Sequence, residues 1–266
     1  MHLFNHKLCG AFYSRQVIKV IAGLSNSNIN KVLRIAKAAE LSQATYIDII
    51  ANPYLVKLLK STSNLLVCAS SLNAIDLYNC MVAGADLIEI GNFDNLYNRN
   101  IYLSKSEIID LAQQTKHLCG NIDISVTIPY YLPLHEQVEL SKKLESLGIN
   151  ILQTEALFIK NKHISHKLKV TDTIFSSVNS SSLSLLSTRL IANAVQIPII
   201  TSSGINSLSS SLPIFYGAHG IGIGSAISQK NSVYDMSNYI DNIYKSLISM
   251  KCVNSLQLQD TNLSIF

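Results

Sequence analysis

The chain has 266 residues, of which 48% are hydrophobic and 14% charged, and carries a formal net charge of +4. This composition excludes a disordered chain, which would be poor in apolar residues and rich in one charge. Lys and Arg are scattered singly, without the basic stripe of a nucleic-acid surface, and no run approaches the ~18 apolar residues of a spanning helix, so neither nucleic acid nor a membrane is expected as a partner.

The length suits one large α/β domain. Five cysteines stand at positions 9, 68, 80, 119 and 252, none paired as CxxC; the odd, scattered set predicts reduced thiols. The opening MHLFNHKLCGAFYSRQ has too short an apolar core for a secretory signal and lacks the Ser- and Arg-rich character of a transit peptide. The protein is therefore expected to act where it is made. The excess of Asn, Ser, Ile and Leu, with no Trp, resembles the drift of an AT-rich genome such as an organelle's.

Residues 1–16 read as a lead-in that closes the bottom of the fold, and then a pattern repeats. Val17–Gly23 predicts a strand and Ser27–Leu41 a helix, capped by Ser27 or Asn28. Thr45–Ala51 is the second strand, and Asn52-Pro53 opens a helix to Lys60. Leu65–Ser70 is the third strand, Asn73–Ala83 a helix, and Ala85–Gly91 the fourth strand. After a loop at Asn92–Asn100, Ser104 with Glu107 three residues on is a capping-box pattern for a helix to Leu118. Asp123–Ile128 is strand five, Leu134–Leu147 a helix closed by Gly148, and Ile149–Glu155 strand six. Leu183–Val195 is a helix, Ile197–Ser202 strand seven, Ser207–Tyr216 a helix, Gly220–Gly224 strand eight and Val233–Lys251 the last helix. Residues 252–266 read as a loose tail.

Strands alternating with helices across short connections predict parallel pairing and a single α/β domain over 1–266, a (β/α)8 TIM barrel. The insertion Ala156–Ser182 after strand six, with Lys160, Lys162, His163, His166, Lys167 and Lys169, breaks the pattern on the face where active-site lids sit; a plain surface loop fits it equally. His163 and His166 are spaced as metal ligands on a helix can be, but no third ligand stands nearby, so no metal site is read.

The stretch PIITSSGINSLSSSLPIFYGAHGIGIGSAI (198–227) puts a glycine-bearing loop after strands seven and eight, each leading toward a helix. Backbone N–H groups at such loops bind phosphate, and barrels build that site after strands seven and eight. Ser203, Gly204, Gly222, Gly224 and Ser225 are therefore the candidate phosphate-binding residues. Glycines that only form tight turns are the plainer reading.

Alternation separates residues that pack on the helices from those that fill the barrel. It places Lys19 and Ile21, Asp48 and Ile50, Leu87 and Glu89, Asp123, Ser125 and Thr127, and Ile151, Gln153 and Glu155 inside. Charges in a low-dielectric interior are costly unless paired, and apolar residues fill a barrel well without them. Lys19, Asp48 and Glu89 are therefore the candidate catalytic residues. Lys19 would act as base, Schiff-base former or electrostatic stabiliser, with the acids as proton-transfer partners. A buried Lys19–carboxylate pair without chemistry is the structural alternative. Asp123 lies near its strand's start, toward the barrel bottom, and reads as structural. One lysine against three acids leaves negative charge over; a divalent cation or a shared proton would offset it, and the sequence does not choose.

Taken together, KVIAGLSN (19–26), YIDIIANP (46–53), CASS (68–71), GADLIEIGNFD (84–94), VTIPYYLPLHEQ (126–137), SSGI and GIGSAI resemble the hypothetical chloroplast open reading frame twenty-three family, domain of unknown function 561. The resemblance spans nearly the whole chain. It implies a barrel of the ribulose-phosphate-binding type and a place in the chloroplast, on the stromal side of the plastid. It implies no reaction and no catalytic residues. The phosphate loops alone are also similar to those of phosphosugar epimerases, thiamin-phosphate synthases and flavin mononucleotide (FMN) oxidoreductases, where two glycines often stand at the Ser203-Gly204 position.

The leading functional expectation is an isomerase, epimerase, lyase or synthase acting on a phosphorylated small molecule. An FMN-dependent oxidoreductase and a non-catalytic phosphate-ligand-binding regulatory or assembly protein are the alternatives. Nothing in the sequence marks a subunit interface.

Overall fold

Val, Ile and Leu recur on both faces of the strand segments, which a parallel sheet wrapped by helices requires. The computed structural model describes residues 2–23, 28–91, 93, 97, 99–156 and 174–263. Eight strands close into a parallel barrel in chain order: β1 (Val17–Ile21), β2 (Tyr46–Ile50), β3 (Leu66–Ser71), β4 (Leu87–Ile90), β5 (Asp123–Ile128), β6 (Ile151–Thr154), β7 (Ile199–Thr201) and β8 (Gly220–Ile223). Closure comes where β1 pairs with β8 through Val17–Gly220, Ile18–Ile221 and Lys19–Gly222. All eight sequence-predicted strands are present, with ends shifted by at most two residues.

The outer layer follows from caps and apolar stripes. Asn28, Asn52 and Asn73 cap α2 (Ile29–Glu40), α3 (Pro53–Thr62) and α4 (Ala74–Val82) through their side-chain oxygens, which satisfies first-turn N–H groups that have no partner within the helix. The capping box at Ser104 and Glu107 opens α5 (Lys105–Cys119). Next come α6 (Leu134–Ser146) and α7 (Ile174–Ala192). The last helix, which we label α10, runs Val233–Leu263 and takes in much of the segment read as a tail. The insertion residues 157–173, with His163 and His166, lie outside the described residues, as do Asn92 and Asp94.

The predicted helix Ser207–Tyr216 is reduced to α8 (Leu212–Phe215). Asn206 Oδ1 accepts from Leu208 N and Ser209 N, and Ser210 Oγ donates to Ser207 O. These local bonds offer the backbone an alternative to the helix, and Pro213, within the first turn of α8, has no N–H to donate to Ser209 O as a continuous helix would require. A further short turn, α9 (Ser225–Ser228), follows β8.

Two cores result. The larger lies between barrel and helices, with Ile18, Val20, Ile47, Ile49, Ile88 and Ile124 facing out. The smaller plugs the bottom of the barrel. Val17, Tyr46, Leu66, Leu87, Ile151 and Ile200 point inward and meet Leu8 and Phe12 of α1 (His6–Tyr13). The lead-in therefore closes the bottom as a helix. Asp123 fastens it there by accepting from Phe4 N and Asn5 N, each at 2.9 Å. At the same end His219 Nδ1 accepts from Ile199 N; burial, then the nearby Arg15 and N-terminal charges, lower its pKa to about 4. β1 and β8 approach so closely that a Cβ on Gly220 would lie 2.4 Å from Val17 Cβ.

The helix α7 is held by hydroxyls. Thr188 Oγ1 lies 2.7 Å from Thr154 Oγ1 on β6 and 2.6 Å from Thr201 Oγ1 on β7. Ser187 Oγ donates to Gln137 of α6. Buried polar groups must find such partners, and here they find them in one another.

Candidate active site

Above the apolar plug, the inward positions turn polar. Lys19 on β1 extends into the barrel and is fully buried, as are Asp48 on β2 and Glu89 on β4. The Lys19 Nζ lies 2.6 Å from Glu89 Oε2, 2.8 Å from Gln153 Oε1 and 2.9 Å from Asp48 Oδ2. The first two are hydrogen bonds; the third is an ion pair without hydrogen-bond alignment. The structure thus brings together the three charged residues singled out in the sequence.

Three further side chains complete the set. Gln153 Nε2 donates to Glu89 Oε1 at 3.2 Å and to Thr127 Oγ1 at 3.1 Å, and Thr127 donates to Glu89 Oε1 at 3.2 Å. Ser70 Oγ donates to Asp48 Oδ1. The amide of Gln153 is thereby oriented, oxygen on the ammonium and nitrogen on the carboxylate. Strand alternation placed Gln153 and Thr127 inside, but uncharged groups carry no burial penalty large enough to single them out. Ser70 lies in a run of small residues, CASS, where alternation has no contrast to use. Tyr46, two residues before Asp48 and so on the same face, is also inside; its hydroxyl and that of Ser125 are buried without a hydrogen-bond partner.

Electrostatics assign the charges. Burial alone would lower the Lys19 pKa, but the Asp48 and Glu89 carboxylates overcome it and hold the lysine above its usual range. Lys19 is a fixed cation at neutral pH, which removes the free amine that Schiff-base chemistry needs. Burial raises Asp48 to about 6; Lys19 opposes this rise and Glu89 adds to it. Asp48 therefore sits close to the value a proton-transfer group needs near neutrality. Burial likewise pushes the phenol of Tyr46 and the thiol of Cys68 well above their usual ranges.

Two glycines leave room above this set. A Cβ on Gly91, the residue after β4, would lie 2.8 Å from Glu89 Oε1 and 3.0 Å from Thr127 Oγ1. The Glu89 carboxyl therefore reaches up from mid-strand toward the C-terminal face. A Cβ on Gly222 would lie 3.5 Å from Gln153 Oε1.

The candidate phosphate residues ring the same face. Ser203 and Gly204 follow β7 with φ of +69° and +73°, so Ser203 takes a left-handed conformation that ordinarily favours glycine. Both are half-buried, as is Gly224, while Ser225 is exposed at the start of α9. Next around the mouth, just after β6, which pairs with β7, Glu155 accepts from the Tyr97 hydroxyl and from Tyr130 N at 3.3 Å. Tyr97 stacks between Phe93 and Tyr102. The tyrosines were not singled out in the sequence because YY at 130–131 and the two others converge only in three dimensions.

A family model described as Protein of unknown function (DUF561) matches residues 3–253. The chain belongs to this family. Among relatives, an "Uncharacterized protein ycf23" of Antithamnion sp. is 44% identical over a 271-residue alignment, covering 100% of this chain and 98% of that one. A protein of the same name from Cyanophora paradoxa is 41% identical over 240 residues, covering 90% and 96%. Among solved structures, thiamine phosphate pyrophosphorylase from Pyrococcus furiosus superposes with a TM-score of 0.56 at 16% identity, covering 88% of this chain and 98% of that one. Orotidine 5'-phosphate decarboxylase from Pyrococcus horikoshii OT3 gives 0.59 at 12% identity, covering 87% and 99%. These likenesses establish the TIM-barrel fold. Among the described residues no helix is long and apolar enough to cross a membrane, and no cluster of His, Cys, Asp and Glu has metal-holding geometry.

Proposed function

We propose that this DUF561 protein binds a phosphorylated small molecule at the C-terminal mouth of its barrel and acts on it as an isomerase, epimerase, lyase or synthase. One observation carries the reading: a fully buried ammonium held by two carboxylates and an amide in a barrel that apolar residues would fill at lower cost. Lys19 supplies fixed positive charge for negative charge that develops on the substrate. Asp48 and Glu89 exchange protons with it. Ser203, Gly204, Gly222, Gly224 and Ser225 hold the phosphate through backbone N–H groups and hydroxyls. The names of the structural neighbours, several of which are phosphate-metabolite enzymes, support the ligand class. The relatives' shared name supports a plastid location, for which we propose the stroma.

Complete burial of Lys19, Asp48 and Glu89 favours a second reading, a non-catalytic regulatory or assembly protein that keeps the phosphate site. Titration calorimetry tests the shared part. Inorganic phosphate and small sugar phosphates are expected to bind the wild type. Ser225→Asp, an exposed change that sets a carboxylate beside the phosphate, is expected to weaken binding at least tenfold while leaving the melting temperature unchanged. Equal binding by both proteins would remove the loops after β7 and β8 from the site.

A further inference from the structure

The interior of such a barrel is built in layers of side chains from alternate strands, and the strands climb by about one residue per strand around it. Following the register with that climb sets Lys19 of β1, Cys68 of β3, Ser125 of β5 and Ile200 of β7 in one layer. Asp48 and Glu89 belong to the layer above and Tyr46 to the layer below. Barrel layers ordinarily carry bulky branched residues, but Cys68 and Ser125 are short. The phenol of Tyr46 rises into the room they leave, close enough to interact electrostatically with Cys68, Glu89 and Asp48.

Two hydroxyls here have no partner. Among the described residues, the buried side-chain atoms without a hydrogen bond are Tyr46 Oη, Ser125 Oγ, Asp48 Oδ2 and Thr115 Oγ1. Thr115 stands on the helix α5, and Asp48 Oδ2 has the Lys19 ammonium 2.9 Å away. Tyr46 and Ser125 have no such neighbour, and both are fully buried. Native interiors satisfy buried hydroxyls with protein groups or with ordered water.

We propose that an ordered water molecule lies beneath Lys19, bound between the Tyr46 and Ser125 hydroxyls. The donor set selects water. Each hydroxyl both donates and accepts, so the pair is neutral and matches a small molecule that does the same. A metal cation would need the carboxylates, and these are already engaged: Glu89 by Lys19, Thr127 and Gln153, and Asp48 by Lys19 and Ser70. The Cys68 thiol, in the same layer, is a weak further partner, which brings the site to the about three polar contacts that buried waters make. The site lies on the far side of Lys19 from the mouth and does not depend on what the mouth binds.

A high-resolution crystal structure of the wild type is expected to show a solvent peak within hydrogen-bond distance of both Tyr46 Oη and Ser125 Oγ; this test stands even if a variant fails to fold. Melting temperatures give a second test. Tyr46→Phe and Ser125→Ala each remove one partner of the water and strand the other, and each is expected to lower the melting temperature by about 2–4 °C. The double variant removes both hydroxyls together, so its shift is expected to be smaller than the sum of the two. A dry interior predicts the opposite sign, because Tyr46→Phe would then delete an unbonded hydroxyl and raise the melting temperature. A crystal structure with no solvent between the two hydroxyls, a higher melting temperature for Tyr46→Phe, or shifts that simply add would each overturn the proposal.

Discussion

Lys19→Met is expected to lower the unfolding free energy by about 3–5 kcal/mol at neutral pH, the usual cost of removing one partner from a buried ion pair. The methionine fills the same volume, so the loss reports charge, not packing. Lys19 Nζ contacts Glu89, Gln153 and Asp48 within 2.9 Å; without it two carboxylates share a closed interior with no cation. The sign of the pH dependence follows. Asp48 has a folded pKa of about 6, above its ordinary value. Its contribution to stability is full below the ordinary carboxylate range and is lost as pH rises through about 6. Removing the ammonium takes away the group that opposes this rise, so the variant loses stability over a wider and higher range. The raised pKa of Lys19 has the complementary effect in the wild type, giving stability that is present below the ordinary lysine value and lost only in strong base. Urea unfolding at pH 5 and pH 7.5 should therefore show a larger deficit at pH 7.5. A deficit under about 1 kcal/mol, or the same deficit at both values, would mean that the ion pair is not formed as described.

Gly91→Ala is expected to cost about 1–3 kcal/mol, the usual range for overpacking a filled interior, and to reduce ligand binding or turnover at least tenfold. The new methyl would lie 2.8 Å from Glu89 Oε1 and 3.2 Å from Glu89 Cγ. It can be accommodated only if the carboxyl withdraws from Lys19 and Thr127 or the end of β4 moves. Gly10→Ala is the internal control. Gly10 lies within α1 with nothing within 4 Å of its missing Cβ, so alanine there should stabilise by about 0.5–1 kcal/mol through helix propensity. Should the two substitutions behave alike, Gly91 would not be making room for Glu89.

The barrel was legible because its two periodicities are clean. In YIDII and LIEI the apolar residues that pack on the helices alternate with one charge each, and that contrast put Asp48 and Glu89 inside. It failed where contrast was absent: CASS offers four small residues, and Ser70 is found only from its contact with Asp48. Gln153 had the right parity, but an amide gains its importance from three partners on three strands, which no single segment displays. The role of Lys19 needed distances. A buried lysine alone would be a nucleophile; a buried lysine between two acids is a cation, and only the fold sets the separation. The helix expected over Ser207–Tyr216 was overestimated because its serines bond their own backbone.

The most direct measurement is native mass spectrometry of the gently purified protein, with ultraviolet–visible absorbance on the same sample. A co-purified phosphorylated small molecule is the predicted result, retained by the wild type and lost in Ser225→Asp. An adduct-free protein that also fails to bind any phosphate ester offered at millimolar concentration would contradict the proposed ligand class.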